Sequence, residues 1–97
     1  MSASTTLERM REGLDALSPT LVELDDDSLR HAGHAGAASG GGHYNLRIIS
    51  TRFTGLTRIA RHRLVYSTLA PLMQREIHAL SIIALTPDEA SAQQEPV

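Results

Sequence analysis

Apolar positions along the first third of the chain recur first at helical and then at strand spacing. Leu7, Met10, Leu14 and Leu17 fall on one helical face, and Pro19 ends the pattern. Thr5-Thr-Leu-Glu8 ahead of them reads as a capping box, so a first helix is expected over about residues 5–17. Leu21 to Asp25 is a short apolar run with weak alternation, expected as strand one. Tyr44, Leu46 and Ile48 alternate with more polar neighbours, which predicts strand two across about residues 43–50, antiparallel to the first. Thr54-Gly55 marks a turn, and Thr57 suits the N-cap of a second helix over about residues 57–70.

Projected at about 100° per residue, that helix gathers Ile59, Val65, Tyr66, Leu69, Leu72 and Met73 on one arc. His62 falls in the middle of the arc, and Arg61 and Arg63 flank it. Pro71 is expected to end or kink the helix near Ala70. His78 to Leu85 forms strand three, with Leu80, Ile82 and Ala84 on one face. Thr86-Pro-Asp-Glu89 is a second capping box opening a short helix, and the tail Ser91 to Val97 is expected to fray. The order α-β-β-α-β-α, with a crossover between strands two and three, predicts an α+β fold. Its sheet is three-stranded and mixed, with helices packed on one face.

Residues 26–42 break the periodicity: four Ala, five Gly and two His lie there, ending in Gly40-Gly41-Gly42. This reads as a long connecting loop, and a loop of that length in a small domain generally carries function. Ninety-seven residues suffice for a single domain, 1–97, with an ordered core over about 5–90. Only Phe53, Tyr44 and Tyr66 are aromatic, so the core has to be aliphatic.

Charge is unevenly spread beneath a net value of −2. Residues 1–30 hold seven acids against three arginines, whereas Arg47 to Arg75 contains six arginines and no acid. Lysine is absent, so every fixed positive side chain is a guanidinium suited to planar carboxylate or phosphate contacts. Either a solvated helix face or a surface for an anionic partner accounts for this. No signal peptide and no apolar stretch of membrane-spanning length is visible, which makes a soluble cytoplasmic protein the expectation.

Cysteine is also absent, which removes disulfides, thiolate catalysis and any iron–sulfur cluster held by this chain's own sulfur. No serine elbow and no phosphate-binding Gly loop is present, so the chain does not read as an enzyme. The candidate ligands are five histidines. By position His62 reads as a packed structural residue and His43 as a strand-end hydrogen-bonding group. His31 and His34 form a His-x-x-His pair on the small-residue loop, a weak metal signal by itself. His78 opens strand three, where its ring is expected near the surface at the sheet's edge.

Phe53-Thr-Gly-Leu-Thr-Arg-Ile-Ala-Arg-His-Arg-Leu-Val-Tyr66, with Ile77-His-Ala-Leu-Ser-Ile82, Asp27-Ser-Leu-Arg-His31 and Gly42-His43-Tyr44, resembles the BolA family over roughly Leu7 to Glu89. That resemblance implies a class II KH-like fold. It implies partnership with a monothiol glutaredoxin in binding, trafficking or sensing through a shared [2Fe-2S] cluster, glutathione included. In that family the histidine matching His78 is a cluster ligand, and a second comes from the loop, as His or Cys. A chain without Cys falls in the His subgroup, with His31 as the match and His34 as a nearby alternative. The family also includes a transcriptional regulator of stress response and cell shape. A DNA-binding reading would use Arg58, Arg61 and Arg63 near the start of helix two. The Gly-x-x-Gly clamp of KH domains is missing, since Thr54-Gly55-Leu-Thr57 has one Gly.

Overall fold

The computed structural model describes residues 5–27 and 42–94. Helix α1 (Thr6–Leu14) starts at Thr5, whose hydroxyl accepts from the Glu8 amide at 3.1 Å and donates to the Glu8 carboxylate at 3.1 Å. A 3-10 turn, Asp15–Leu17, extends α1, so the expected helix over 5–17 is present in two pieces. Ser18 then takes φ 48°, the left-handed conformation common past helix ends, and Pro19 prevents continuation.

Strand β1 (Leu21–Asp26) pairs antiparallel with β2 (Gly42–Ile49), from Leu21 opposite Ile49 to Asp26 opposite Tyr44. Strand β3 (Ile77–Leu85) runs parallel to β2, giving the sheet order β1-β2-β3. Tyr44, Leu46 and Ile48 face the core with Met10, Leu14, Phe53, Val65 and Leu69. On the opposite face Arg47 pairs with Glu23 at 3.4 Å, and Asn45 donates to Asp25 at 3.4 Å. Each pair sits on directly opposed positions of the ladder. The fully buried Ser50 fastens the end of β2 to α1: its hydroxyl donates to the Leu17 carbonyl at 2.6 Å and accepts from the Arg52 amide at 3.0 Å.

Helix α2 (Arg58–Thr68) is capped by Thr57, whose hydroxyl accepts from the Ala60 amide at 3.1 Å. It breaks at Leu69, and Pro71 sits inside a separate short helix α3 (Ala70–Met73), as the proline predicts. The projected apolar arc is buried or packed against the core except at Ile59 and Tyr66. Ile59 is 64% exposed and Tyr66 39%, while Val65 and Leu69 are buried and Leu64 and Leu72 pack against them. The reason is that the first turn of α2 overhangs a groove beside β3 rather than the core, and Arg61, not Ile59, lies against the sheet.

Helix α4 (Pro87–Gln94) opens with the second capping box: the Thr86 amide donates to Glu89 at 2.9 Å, and the Glu89 amide to the Thr86 hydroxyl at 3.2 Å. Helical structure reaches Gln94, so fraying from Ser91 onward does not describe residues 91–94. The capping box and the buried Ala90 hold this helix against β3. The result is the α+β, α-β-β-α-β-α arrangement with a three-stranded mixed sheet. No helix among the described residues is long and apolar enough to cross a membrane.

Candidate metal centre

Strand β3 changes phase at its first residues. Gly42 pairs with Ile77, but His43 pairs with Ala79, so one residue of β3 has no opposite number. This bulge leaves Ile77 buried, His78 and Ala79 both exposed, and Leu80 turned back toward the core. Strict alternation from Leu80 would have pointed His78 inward. The extra residue instead puts it on the open face of the sheet, where its ring lies 5.2 Å from that of His43, inclined at 35°.

The neighbouring backbone fixes this end of the sheet. The Gly42 amide donates to the Glu76 carbonyl at 2.9 Å, and the Asp27 amide to the His43 carbonyl at 2.7 Å. A Cβ on Gly42 would come within 2.4 Å of the Tyr44 ring, so the glycine allows that ring to lie over the strand's start. Two imidazoles from adjacent strands therefore lie side by side on this face, His78 exposed and His43 half-buried. Among the described residues no group of three or more His, Asp or Glu converges in metal-binding geometry. His31 and His34 lie outside the described residues. His43 is the residue that sequence reasoning passed over as a partner of His78. A single-residue bulge leaves no mark in the hydrophobic pattern that would have paired them.

The three arginines of α2 separate into two kinds. Arg58 and Arg63 are exposed. Arg61 is turned inward, 13% exposed, donating to the Leu56 and Ala84 carbonyls at 3.0 Å each and to both oxygens of Glu89 at 2.5 and 3.1 Å. The Arg61 hydrogen bonds, followed by the Thr86 amide, hold the Glu89 carboxyl down at about 2. Placing Arg61 beside Arg63 on a partner surface thus misses its local role, which is to join α2, β3 and α4. His62 is half-buried and lines the same groove.

The chain matches the sequence profile described as BolA-like protein over residues 14–89. It belongs to the BolA family. It is 44% identical over 87 residues to the SufE-like protein 1, chloroplastic/mitochondrial, of Arabidopsis thaliana, covering 84% of this chain and 24% of that protein. It therefore spans about a quarter of the length of that relative. It is 38% identical over 91 residues to the DNA-binding transcriptional regulator BolA of Escherichia coli, covering 93% of this chain and 84% of the relative. Among solved structures, BolA1 from Arabidopsis thaliana superposes with a TM-score of 0.77 at 39% identity, covering 91% of this chain and 98% of that one. In this BolA-family chain the bulge and the histidine pair sit at the start of β3, apart from the Arg61 junction at its other end.

Proposed function

We propose that this BolA-family protein acts with a monothiol glutaredoxin in binding or handing on a [2Fe-2S] cluster, with His78 as a ligand. The observation that supports it most is the bulge that carries His78 onto the open face, 5.2 Å ring to ring from His43. Imidazole ligation of one iron raises a cluster's potential and leaves a protonatable ligand, as in sites with two His and two Cys. The donor chemistry suits one half of such a site: two imidazoles are present, and a chain without Cys can offer no thiolate. The thiolates then belong to the partner, from the glutaredoxin and its glutathione, and the cluster is shared between the two proteins. The second imidazole is supplied by His43 from the strand, or by His31 or His34.

Co-expression with a monothiol glutaredoxin tests this reading. A coloured heterodimer with visible charge-transfer absorption is expected, and His78→Ala should lose or shift that absorption. Comparing His43→Ala, His31→Ala and His34→Ala identifies the second ligand. An unchanged spectrum in His78→Ala would remove it from the site.

A second reading, DNA binding, draws on the exposed Arg58 and Arg63 on the first half of α2. Replacing both by Ala should lower the slope of log affinity against log salt by about 1–2, each phosphate contact contributing roughly one unit. Arg61 is left intact in that test because its guanidinium is held inside the fold. Absence of salt-sensitive DNA binding in the unmodified protein rejects this reading.

A further inference from the structure

Among the described residues strand β3 is an edge of the sheet, and its outer side is closed in two places and open between them. The carbonyls of Leu80 and Ala84 accept from Tyr66 Oη at 3.4 Å and from Arg61 Nη1 at 3.0 Å, both reaching over from α2. The Leu85 carbonyl instead accepts from the Ser50 amide at 2.9 Å, on the β2 side. Main-chain groups alternate sides along a strand, so the even-numbered residues turn theirs outward. Ile82 lies midway between the two closed carbonyls, and no described side chain donates to its own carbonyl.

A groove of about 690 Å³ runs beside this open stretch. Leu56, Arg58 and His62 form its wall from the α2 side, and Glu89 and Gln93 form the α4 wall. Ile82 to Leu85 form its floor, about 13 Å of strand at roughly 3.3 Å per residue. The volume falls in the range of about 300–1,000 Å³ in which bound ligands are commonly buried.

We propose that this groove takes an extended peptide segment bearing a carboxylate, which adds to β3 as a fourth strand at Ile82. Main-chain hydrogen bonds from an exposed edge supply affinity in such additions, and flanking pockets supply specificity. The charge on the walls selects the side chain. Glu89 is already matched by Arg61, whereas Arg58 has no side-chain partner among the described residues. The unmatched charge in the groove is therefore positive, and a guanidinium receives a carboxylate in two parallel hydrogen bonds. Helices α2 and α4 stand on both sides, so the broad edge of a second folded sheet does not fit. A single-stranded nucleic acid is the poorer occupant. It favours several cations and successive aromatic platforms, and the groove-lining residues offer only the His62 imidazole and no Phe, Tyr or Trp. The groove lies at the far end of β3 from His78, so both can be occupied together, and the proposal stands independently of the cluster reading.

The test uses the full chain labelled with nitrogen-15 and two pools of capped hexapeptides. Each pool alternates valine and threonine around one central residue, glutamate in the first and lysine in the second. The glutamate pool is expected to shift the Ile82, Ile83 and Ala84 amides saturably and to slow exchange of the Ile82 amide. Arg58→Glu should weaken the glutamate pool about tenfold and favour the lysine pool, through loss and reversal of one charge-assisted contact. Ile82→Pro removes the outward N–H, which an edge strand tolerates, and should abolish binding. If the proline variant does not fold, Arg58→Glu decides alone, since an acid in the first turn of α2 favours the helix.

Three kinds of result overturn the proposal. The first is no saturable shift at these amides, or indifference to Arg58→Glu. The second is stronger displacement of the same amides by a ten-residue oligo-dT than by peptide, which would assign the groove to nucleic acid. The third is slowed exchange at Ile82 that grows with protein concentration alone, which would assign the edge to a second copy of the chain.

Discussion

Arg61 and Glu89 meet through two hydrogen bonds of 2.5 and 3.1 Å, and this junction attaches the last helix to the rest of the fold. The same guanidinium holds the Leu56 and Ala84 carbonyls, so helix, strand and C-terminal helix converge on one side chain. Glu89 contributes twice, since its carboxylate also accepts from the Thr86 amide that begins α4.

Acid should loosen this end of the molecule. The Glu89 carboxyl is lowered from 4.5 to about 2 in the folded protein, first by Arg61 and then by the Thr86 amide. A carboxyl depressed in the folded state stabilises fully above its unfolded pKa and loses that contribution as pH falls through the folded one. The urea midpoint should therefore decline between about pH 4.5 and pH 2, and Glu89→Gln should flatten that part of the curve. Equal pH slopes in the two proteins would count against the assignment.

Arginine substitutions on α2 should differ sharply in cost. Arg61→Ala leaves the Leu56 and Ala84 carbonyls without this donor and breaks the pair with Glu89, and should destabilise by about 2–3 kcal/mol in urea unfolding. Arg63 is exposed, and Arg63→Ala should stay within about 0.5 kcal/mol. Similar losses for both would mean that Arg61 is not held as the structure places it. The contrast also decides which arginines can report on a partner, since an effect at Arg61 mixes binding with folding.

Ser50→Ala should cost about 1–3 kcal/mol, although it removes a single oxygen. That oxygen is fully buried and satisfies both the buried Leu17 carbonyl and the part-buried Arg52 amide. Chemical unfolding of the variant measures the loss, and a change below about 0.5 kcal/mol would show that the site relaxes to pair the carbonyl elsewhere.

His78→Ala should leave stability within about 0.5 kcal/mol, because the side chain is exposed on an edge strand. Thermal unfolding of the isolated chain checks this directly. The result matters for the spectrum of the co-expressed complex, since a ligand substitution is informative only if the scaffold survives it.

Much of the scaffold was legible in the sequence because it rests on local rules. Capping at Thr5, Thr57 and Thr86, the breaks at Pro19 and Pro71 and the alternation at Tyr44, Leu46 and Ile48 all depend on neighbours a few residues away. The buried face of α2 was less legible, since Ile59 and Tyr66 are apolar yet exposed, while Arg61 is polar yet enclosed. Helical projection ranks residues by apolarity and cannot see what stands opposite each turn. The site was read in halves. His78 was singled out by family resemblance, whereas its nearness to His43 comes from a register change that no spacing rule encodes. The fixation of Arg61 by Glu89 spans 28 residues and could not be read from either segment alone.

The bulge at His78 and Ala79 also acts as a latch on the sheet. A uniform strand can slide by two residues and still present apolar side chains to the core. Strand β3 cannot, because Ile77 and the row from Leu80 to Ala84 keep opposite phases on either side of the extra residue. Any displacement that satisfies one part exposes or buries the wrong side chains in the other. The residue that carries His78 into the open thereby leaves the parallel pair a single stable alignment, so assembly of the sheet and presentation of the histidine are one event.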